Sequence, residues 1–463
     1  MAQTSAPVTI TSRLGLAYRS RLRLVTLDDA LALAMLAIAV VLVTSVGISH
    51  ARGFRYGPID EVAHVGYVER VAQSGVPPIG DGAIVAGPTQ HVGATDVVLA
   101  PADPLGFPGG FVNGARVPQV EFIQPPLYYY ALAPVALAVS SDRTVFALRL
   151  ASVVFLLAAL VLVFLAVRET APDRPLAAGL ATVILATMSG LTYTLSQVQN
   201  DALLMAMFAL VFWLLCRDVP RRRVGYGLAA ASGFLAVTQI VAIPFAAGAL
   251  LWACWRAVAW PKSTPAVASR LLLPRLAVAA IPLMLWVVWN VGQYRSVFPG
   301  GGGLTIAGGP AGPALTDVFA AAQAAVSESF NDFWAVGFAP RQLDPRPPAL
   351  LCSVFVICAI ALLATGAITA ARVRLAAWAG LAAAAFLSTF GTIFLAVVRS
   401  GGLSSYTGRY FVGVAVAWAA LLALTIDAAT ARRIWLARGV SVALSLVLVH
   451  FALQFSTLGF RLF

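Results

Sequence analysis

A succession of apolar runs, each close to twenty residues long and separated by short charged stretches, constrains this chain more than any other feature. A helix needs about 20 apolar residues to cross the hydrocarbon core of a bilayer. Such runs can be drawn at 30–48, 144–167, 176–195, 201–216, 224–240, 241–259, 275–292, 349–370, 376–398, 410–428 and 440–458. They predict an all-α polytopic membrane protein with about 11 transmembrane helices. Composition agrees, since 60% of the residues are hydrophobic and 11% are charged, against about a quarter charged in soluble domains. A membrane barrel would show short alternating strands instead, and the sequence does not alternate in that way.

The formal charge of +12 would suit a nucleic-acid binder if the basic residues shared one solvated face. They sit instead in short clusters between spans, so no nucleic-acid partner is expected. Clusters of this kind report orientation, because cytoplasmic loops carry the Lys/Arg excess. Parity turns on one stretch, Pro125 to Ser140. If it does not cross, Arg168/Arg174, Arg217/Arg221/Arg222/Arg223, Lys262/Arg270/Arg275, Arg372/Arg374 and Arg432/Arg433/Arg438 all share the side of the N-terminus. If it does cross, every later loop is inverted. The first option predicts a cytoplasmic segment 1–29 and a transmembrane domain 30–463 with two long external loops, 49–143 and 293–348. About 19 of the 31 basic residues are then cytoplasmic and about 13 of the 19 acidic residues external. The Pro125–Ser140 stretch becomes an interfacial helix whose Tyr128, Tyr129 and Tyr130 suit the aromatic belt. Ala30–Ile48 reads as an uncleaved anchor. The basic residues are nearly all arginine, with Lys262 the sole lysine, which reads as the codon bias of a GC-rich bacterium and places the chain in a bacterial inner membrane. Cys216, Cys254, Cys352 and Cys358 lie in or beside spans without a CxxC pair, so no disulfide framework or zinc ribbon is expected.

Polar residues that could carry chemistry converge on the external side. Asp60 and Glu61 follow the first span, and carboxylates are costly near lipid. Asp60 to Ser74 reads as an amphipathic helix on the outer membrane surface. Asp60, His64 and Tyr67 share one side at helical spacing, and Val62, Val65, Val68 and Ala72 share the other. The acidic pair sits in the first turn, where the helix dipole favours negative charge, and helix capping is the competing reading. Asp60, Glu61 and His64 also form a candidate divalent site, because residues at i and i+4 share a face and oxygen-rich sets suit Mn or Mg. Asn200-Asp201 opens a span at its external end, with Asn200 equally suited to an N-cap. A Ser/His/Asp triad has no convincing spacing. The glycines between Gly300 and Gly312 lack the lysine and preceding strand of a phosphate loop.

The run Pro58-Ile-Asp60-Glu61-x-x-His64, followed by Gln124-Pro-Pro-Leu-Tyr128-Tyr129, resembles the first external loop of membrane glycosyltransferases of the GT-C fold. That group includes protein-mannosyltransferase and aminoarabinose-transferase relatives and bacterial DUF2142-type proteins. Gln199-Asn200-Asp201-Ala-Leu-Leu, Trp289-Asn290 with Tyr294, Phe330 to Gly337, and Thr407-Gly408-Arg409-Tyr410-Phe411 follow in the same order. The resemblance implies a GT-C-type bundle with interfacial helices in its external loops. It also implies transfer of a sugar from a polyprenyl-phosphate donor to a glycan, lipid or protein acceptor on the outer face, with inversion at the anomeric carbon. Asp60 then matches the general base, and Glu61, the other catalytic candidate, is left a supporting or metal-binding role beside the helix-capping one. A carboxylate within hydrogen-bond reach of the acceptor hydroxyl can take its proton. Arginine forks hold phosphate oxygens, which makes Arg409, Arg399 and Arg295 the candidates for the lipid phosphate, unless they simply snorkel to the interface. His64, Gln124, Tyr128, Asn200, Asp201 and Tyr410 complete the candidate substrate contacts.

Two departures from the family pattern stand out. The external end of the fifth span reads Val237-Thr238-Gln239, where many relatives place a lysine. The chain also ends at Phe463 without a carbohydrate-binding domain, so acceptor recognition is expected from the two long loops. A transporter or flippase of lipid-linked sugars is the alternative function, although no inverted repeat of the kind common in transporters is evident. A third reading is an inactive relative serving as an assembly subunit.

Overall fold

The computed structural model describes residues 26–52, 61–77, 84–86, 91–92, 95–96, 116–118, 124–218, 224–258, 265–297, 378–391, 411–430 and 433–462. Its helices are α1 (Leu27–Ala51), α2 (Glu61–Ser74), α3 (Leu127–Ala138), α4 (Thr144–Thr170), α5 (Pro175–Ala186), α6 (Ser189–Leu195), α7 (Asn200–Asp218), α8 (Tyr226–Ala236), α9 (Ile243–Val258), α10 (Pro265–Tyr294), α11 (Trp378–Gly391), α12 (Val412–Thr430) and α13 (Ile434–Leu462). Two antiparallel ribbons, absent from the sequence reading, lie in the first long loop. One pairs β1 (Ile84–Ala86) with β4 (Arg116–Pro118), and the other pairs β2 (His91–Val92) with β3 (Thr95–Asp96).

Among the described residues, six helices are long and apolar enough to cross a membrane: Leu27–Ala51, Thr144–Thr170, Asn200–Asp218, Ile240–Ala257, Leu272–Tyr294 and Val412–Thr430. Shorter apolar helices at Pro175–Ala186, Tyr226–Ala236, Trp378–Gly391 and Ile434–His450 fall on four further predicted spans. The remaining predicted span, 349–370, lies outside the described residues. Val41, Val154, Leu285 and Val288 are each more than half exposed, as a surface bathed in acyl chains requires. The chain is a multi-pass, all-α membrane protein.

Helix ends show how the chain is threaded. Thr26 caps α1 through a reciprocal pair with Asp29, whose N–H donates to Thr26 Oγ1 at 3.1 Å while its carboxylate accepts the Thr26 N–H at 3.3 Å. Asp29 also pairs with Arg168, in the last turn of α4, at 3.0 Å. At the opposite end Arg149, near the start of α4, donates to the carbonyl of His50, in the last turn of α1, at 3.4 Å. α1 and α4 are therefore antiparallel, and the chain between them leaves and returns at one end of the bundle. The 12 residues of α3 span roughly 18 Å, too short for a hydrocarbon core of about 30 Å. The Pro125–Ser140 stretch thus makes no net crossing.

Arg168 belongs to a basic end of the bundle. There Arg438 pairs with Asp28 at 2.6 Å, Arg174 with Asp427 at 3.4 Å and Arg217 with Asp218 at 3.1 Å. The predicted span 176–195 is interrupted. The Thr187 hydroxyl turns back to the carbonyls of Val183 and Ile184, at 2.8 and 3.0 Å, and the chain restarts as α6.

Between the ends, helices approach through small residues, because lipid tails leave little hydrophobic drive for association and backbones must pack closely. A Cβ on Gly179 of α5 would stand 2.8 Å from the Ala32 backbone of α1. One on Gly233 of α8 would collide with the Ala279 carbonyl of α10. Gly233→Val should accordingly lower stability by about 1–3 kcal/mol through overpacking. Gly248→Ala, which meets open space on α9, should hold or raise it by up to about 1 kcal/mol. Thermal unfolding of both variants in the same detergent checks the contrast.

Candidate functional site

The site end is organised around Glu61, the first residue of α2, which is fully buried. Its Oε1 accepts from Arg149 Nε at 2.8 Å and from the backbone N–H of Val198 at 2.9 Å, and its Oε2 accepts from Arg149 Nη2 at 2.7 Å. Arg149 is as buried as its partner. Burying two ions costs several kcal/mol each, and only a fork-shaped contact with further hydrogen bonds offsets it. One side chain thereby ties together α2, α4 and the turn between α6 and α7. These bonds reach across the bundle rather than along α2, so they do more than cap a helix.

The rest of α2 is more deeply packed than a helix resting on the membrane surface. His64 and Tyr67 are as buried as Val65 and Val68, because α3 covers the side that the sequence assigns to solvent. His64 Nδ1 shares a hydrogen bond with the Tyr129 hydroxyl at 2.8 Å. The Tyr129 ring lies parallel to that of Tyr67 with centroids 3.5 Å apart. Tyr128, on the next position of α3, shares a hydrogen bond with Ser152 of α4 at 2.9 Å. These aromatics join Leu132, Val145, Leu148 and Leu203 in a second apolar core beside that of the main bundle. Farther along α2, burial pushes the Glu69 carboxyl above the ordinary range. Its protonated form favours the docked helix, so this contribution is full at acidic pH and is lost as pH rises through the raised value.

Behind α2 lies a cluster of amides around one carboxylate. Gln197, Gln199, Asn200, Asp201 and Gln239 are all buried. Asn200 Nδ2 donates to Gln124 Oε1 at 3.3 Å, and Gln239 Nε2 donates to Asp201 Oδ1 at 2.8 Å. The Tyr67 hydroxyl reaches the Gln124 carbonyl at 3.4 Å, which joins the aromatic and amide groups.

The structure thus brings Glu61, His64, Gln124, Tyr128, Asn200 and Asp201 to one end of the bundle from separate chain segments. Arg295 stands exposed past the end of α10, with its N–H bonded to the Val291 carbonyl at 3.0 Å and φ at 54°. It takes no part in this network among the described residues. Asp60, Arg399, Arg409 and Tyr410 lie outside the described residues, and no group of three His, Cys, Asp or Glu among the described residues is placed to hold a metal. Sequence reasoning missed Arg149, although a charge set among apolar residues 145–167 is itself a signal that a partner must exist. It treated Gln239 only as a departure from a pattern.

No family model matches the chain, and no curated protein matches it. Two solved structures show a loose similarity to the chain. Apo ArnT from Cupriavidus metallidurans is 13% identical over 87% of this chain and 78% of that chain, with a TM-score of 0.39. ArnT from the same organism bound to undecaprenyl phosphate is 14% identical over 86% and 77%, with a TM-score of 0.32.

Removing either member of the buried pair strands a charge. Arg149→Ala and Glu61→Gln should each lower stability by about 3–5 kcal/mol. Arg149→Lys should restore only part of the loss, because an ammonium lacks the fork. Thermal unfolding of the three purified variants tests this.

Proposed function

We propose that this protein transfers a sugar from a polyprenyl-phosphate donor to a glycan, lipid or protein acceptor on the outer face of a bacterial inner membrane. The observation that supports it most is the convergence at one bundle end of motif residues distant in sequence, Glu61, His64, Gln124, Tyr128, Asn200 and Asp201. These are positions through which the chain resembles GT-C glycosyltransferases. Asp60 adjoins the clamped Glu61 by one peptide bond.

In this reading the acceptor hydroxyl attacks the anomeric carbon while its proton passes to Asp60. The bond from that carbon to the lipid phosphate oxygen breaks, and polyprenyl phosphate leaves with the electron pair. Configuration inverts in this single displacement. Arg409, Arg399 and Arg295 are assigned to the phosphate, and Glu61 acts by holding the start of α2 rather than by exchanging protons. A divalent ion at Asp60, Glu61 and His64 would have to share ligands already engaged, since Glu61 and His64 Nδ1 have partners.

In vesicles reconstituted with a radiolabelled polyprenyl-phosphate sugar, the parent should transfer label and Asp60→Asn should lose transfer by about 100-fold or more while retaining donor binding. Unchanged transfer would remove Asp60 from the role. Movement of labelled lipid without product would favour the transporter, and EDTA sensitivity would reveal a metal requirement. Orientation is separately testable at two exposed positions at opposite ends of α4. In intact cells, Asp142→Cys should react with an impermeant maleimide and Asp173→Cys should not. The opposite pattern would invert the topology.

A further inference from the structure

Among the described residues, the side-chain carbonyl of Gln239 in the amide cluster meets no hydrogen-bond donor. Gln239 lies between α8 and α9 and is 2% exposed. Its amide nitrogen faces Asp201 Oδ1 at 2.8 Å and Asn200 Oδ1 at 3.5 Å. This orientation fits an ionised carboxylate, which only accepts, so that the –NH2 end faces it. The carbonyl Oε1 is therefore turned away from Asp201. It is buried and has no hydrogen-bond partner among the described residues. A buried acceptor without a donor is costly, and such groups in native proteins call for a specific explanation.

The neighbourhood narrows what the missing donor is. Asn200 and Asp201 form the first turn of α7, and Gln124 reaches the same cluster from the start of α3. Asn200 and Gln124 offer planar amides able both to donate and to accept, beside the Asp201 carboxylate. A hydroxyl matches them, since it can give its proton to Gln239 Oε1 and still accept from a neighbouring N–H. An ammonium only donates, so it cannot also accept from a neighbouring N–H as a hydroxyl does.

We propose that Gln239 is a specificity-determining residue whose Oε1 accepts a ring hydroxyl of the transferred sugar, beside Asp201. The assignment rests on the glycosyl-transfer reading and extends it by locating where a neutral hydroxylated sugar is read. It also gives the orphaned carbonyl a use. A site built to hydrogen-bond a hydroxyl rejects the analogue that lacks it, because the buried partner is then stranded.

The test is competition for a bound radiolabelled polyprenyl-phosphate sugar by purified protein in nanodiscs. Competitors are polyprenyl-phosphate hexoses and pentoses, their single-position deoxy analogues, and sugar-free polyprenyl phosphate as the baseline. In the parent, removal of one particular hydroxyl should weaken competition about tenfold or more. Gln239→Leu should erase that difference at that position and leave the other deoxy positions as they were, an outcome that a merely structural role would not produce. Gln239→Met, closer in length, carries the same readout if the leucine variant does not fold, with melting temperatures showing which variant is intact. Full discrimination retained by a folded variant would mean that Oε1 meets water only, and would overturn the assignment. If the parent binds no sugar-bearing lipid better than sugar-free polyprenyl phosphate, the glycosyl-transfer reading itself fails, which is a separate and distinguishable result.

Discussion

A carboxylate and a guanidinium removed from water hold the site end of this protein together. Glu61 and Arg149 meet through two parallel bonds, and Val198 adds a third donor to the same carboxylate. Each ion alone would be expensive at that depth, so each makes the other's placement obligatory. The consequence is geometric. The first residue of α2 has one position relative to α4, and the turn carrying Val198 has one position relative to both. Asn200 and Asp201 follow that turn directly, so the same contact that orients Glu61 also sets where the amide cluster begins.

The two ends of the bundle use charge differently. At the basic end, ion pairs such as Arg168–Asp29 and Arg438–Asp28 are partly exposed, and pairs of this kind contribute little individually. They lace helix termini together and mark which helices share an end. At the site end the polar groups are buried and mutually bonded, which makes each of them sensitive to loss of a partner. Between the ends, close approach at Gly179 and Gly233 replaces the hydrophobic drive that water would supply to a soluble bundle.

The apolar runs made the spans legible because span length is set by bilayer thickness, a constraint external to the fold. Charge clusters made the parity legible, and the antiparallel contacts of α1 with α4 agree that the stretch around Tyr128 makes no net crossing. Periodicity was a poorer guide for α2. It separates a polar side from an apolar one, but it cannot say that a second short helix will cover the polar side and bury His64 and Tyr67. The break at Thr187 was also hidden, since a hydroxyl bonding back to its own helix leaves no pattern in an apolar run.

The sequence by itself determined two things, that the chain is helical and that it crosses a membrane many times. These follow from local composition measured against a solvent of known thickness. Only the tertiary structure decided which polar residues share a contact. Arg149 lies 88 residues from Glu61, and Gln239 lies 38 from Asp201. No local rule links residues so far apart, because their pairing depends on how whole helices cross and on the cost of leaving a buried group without its partner.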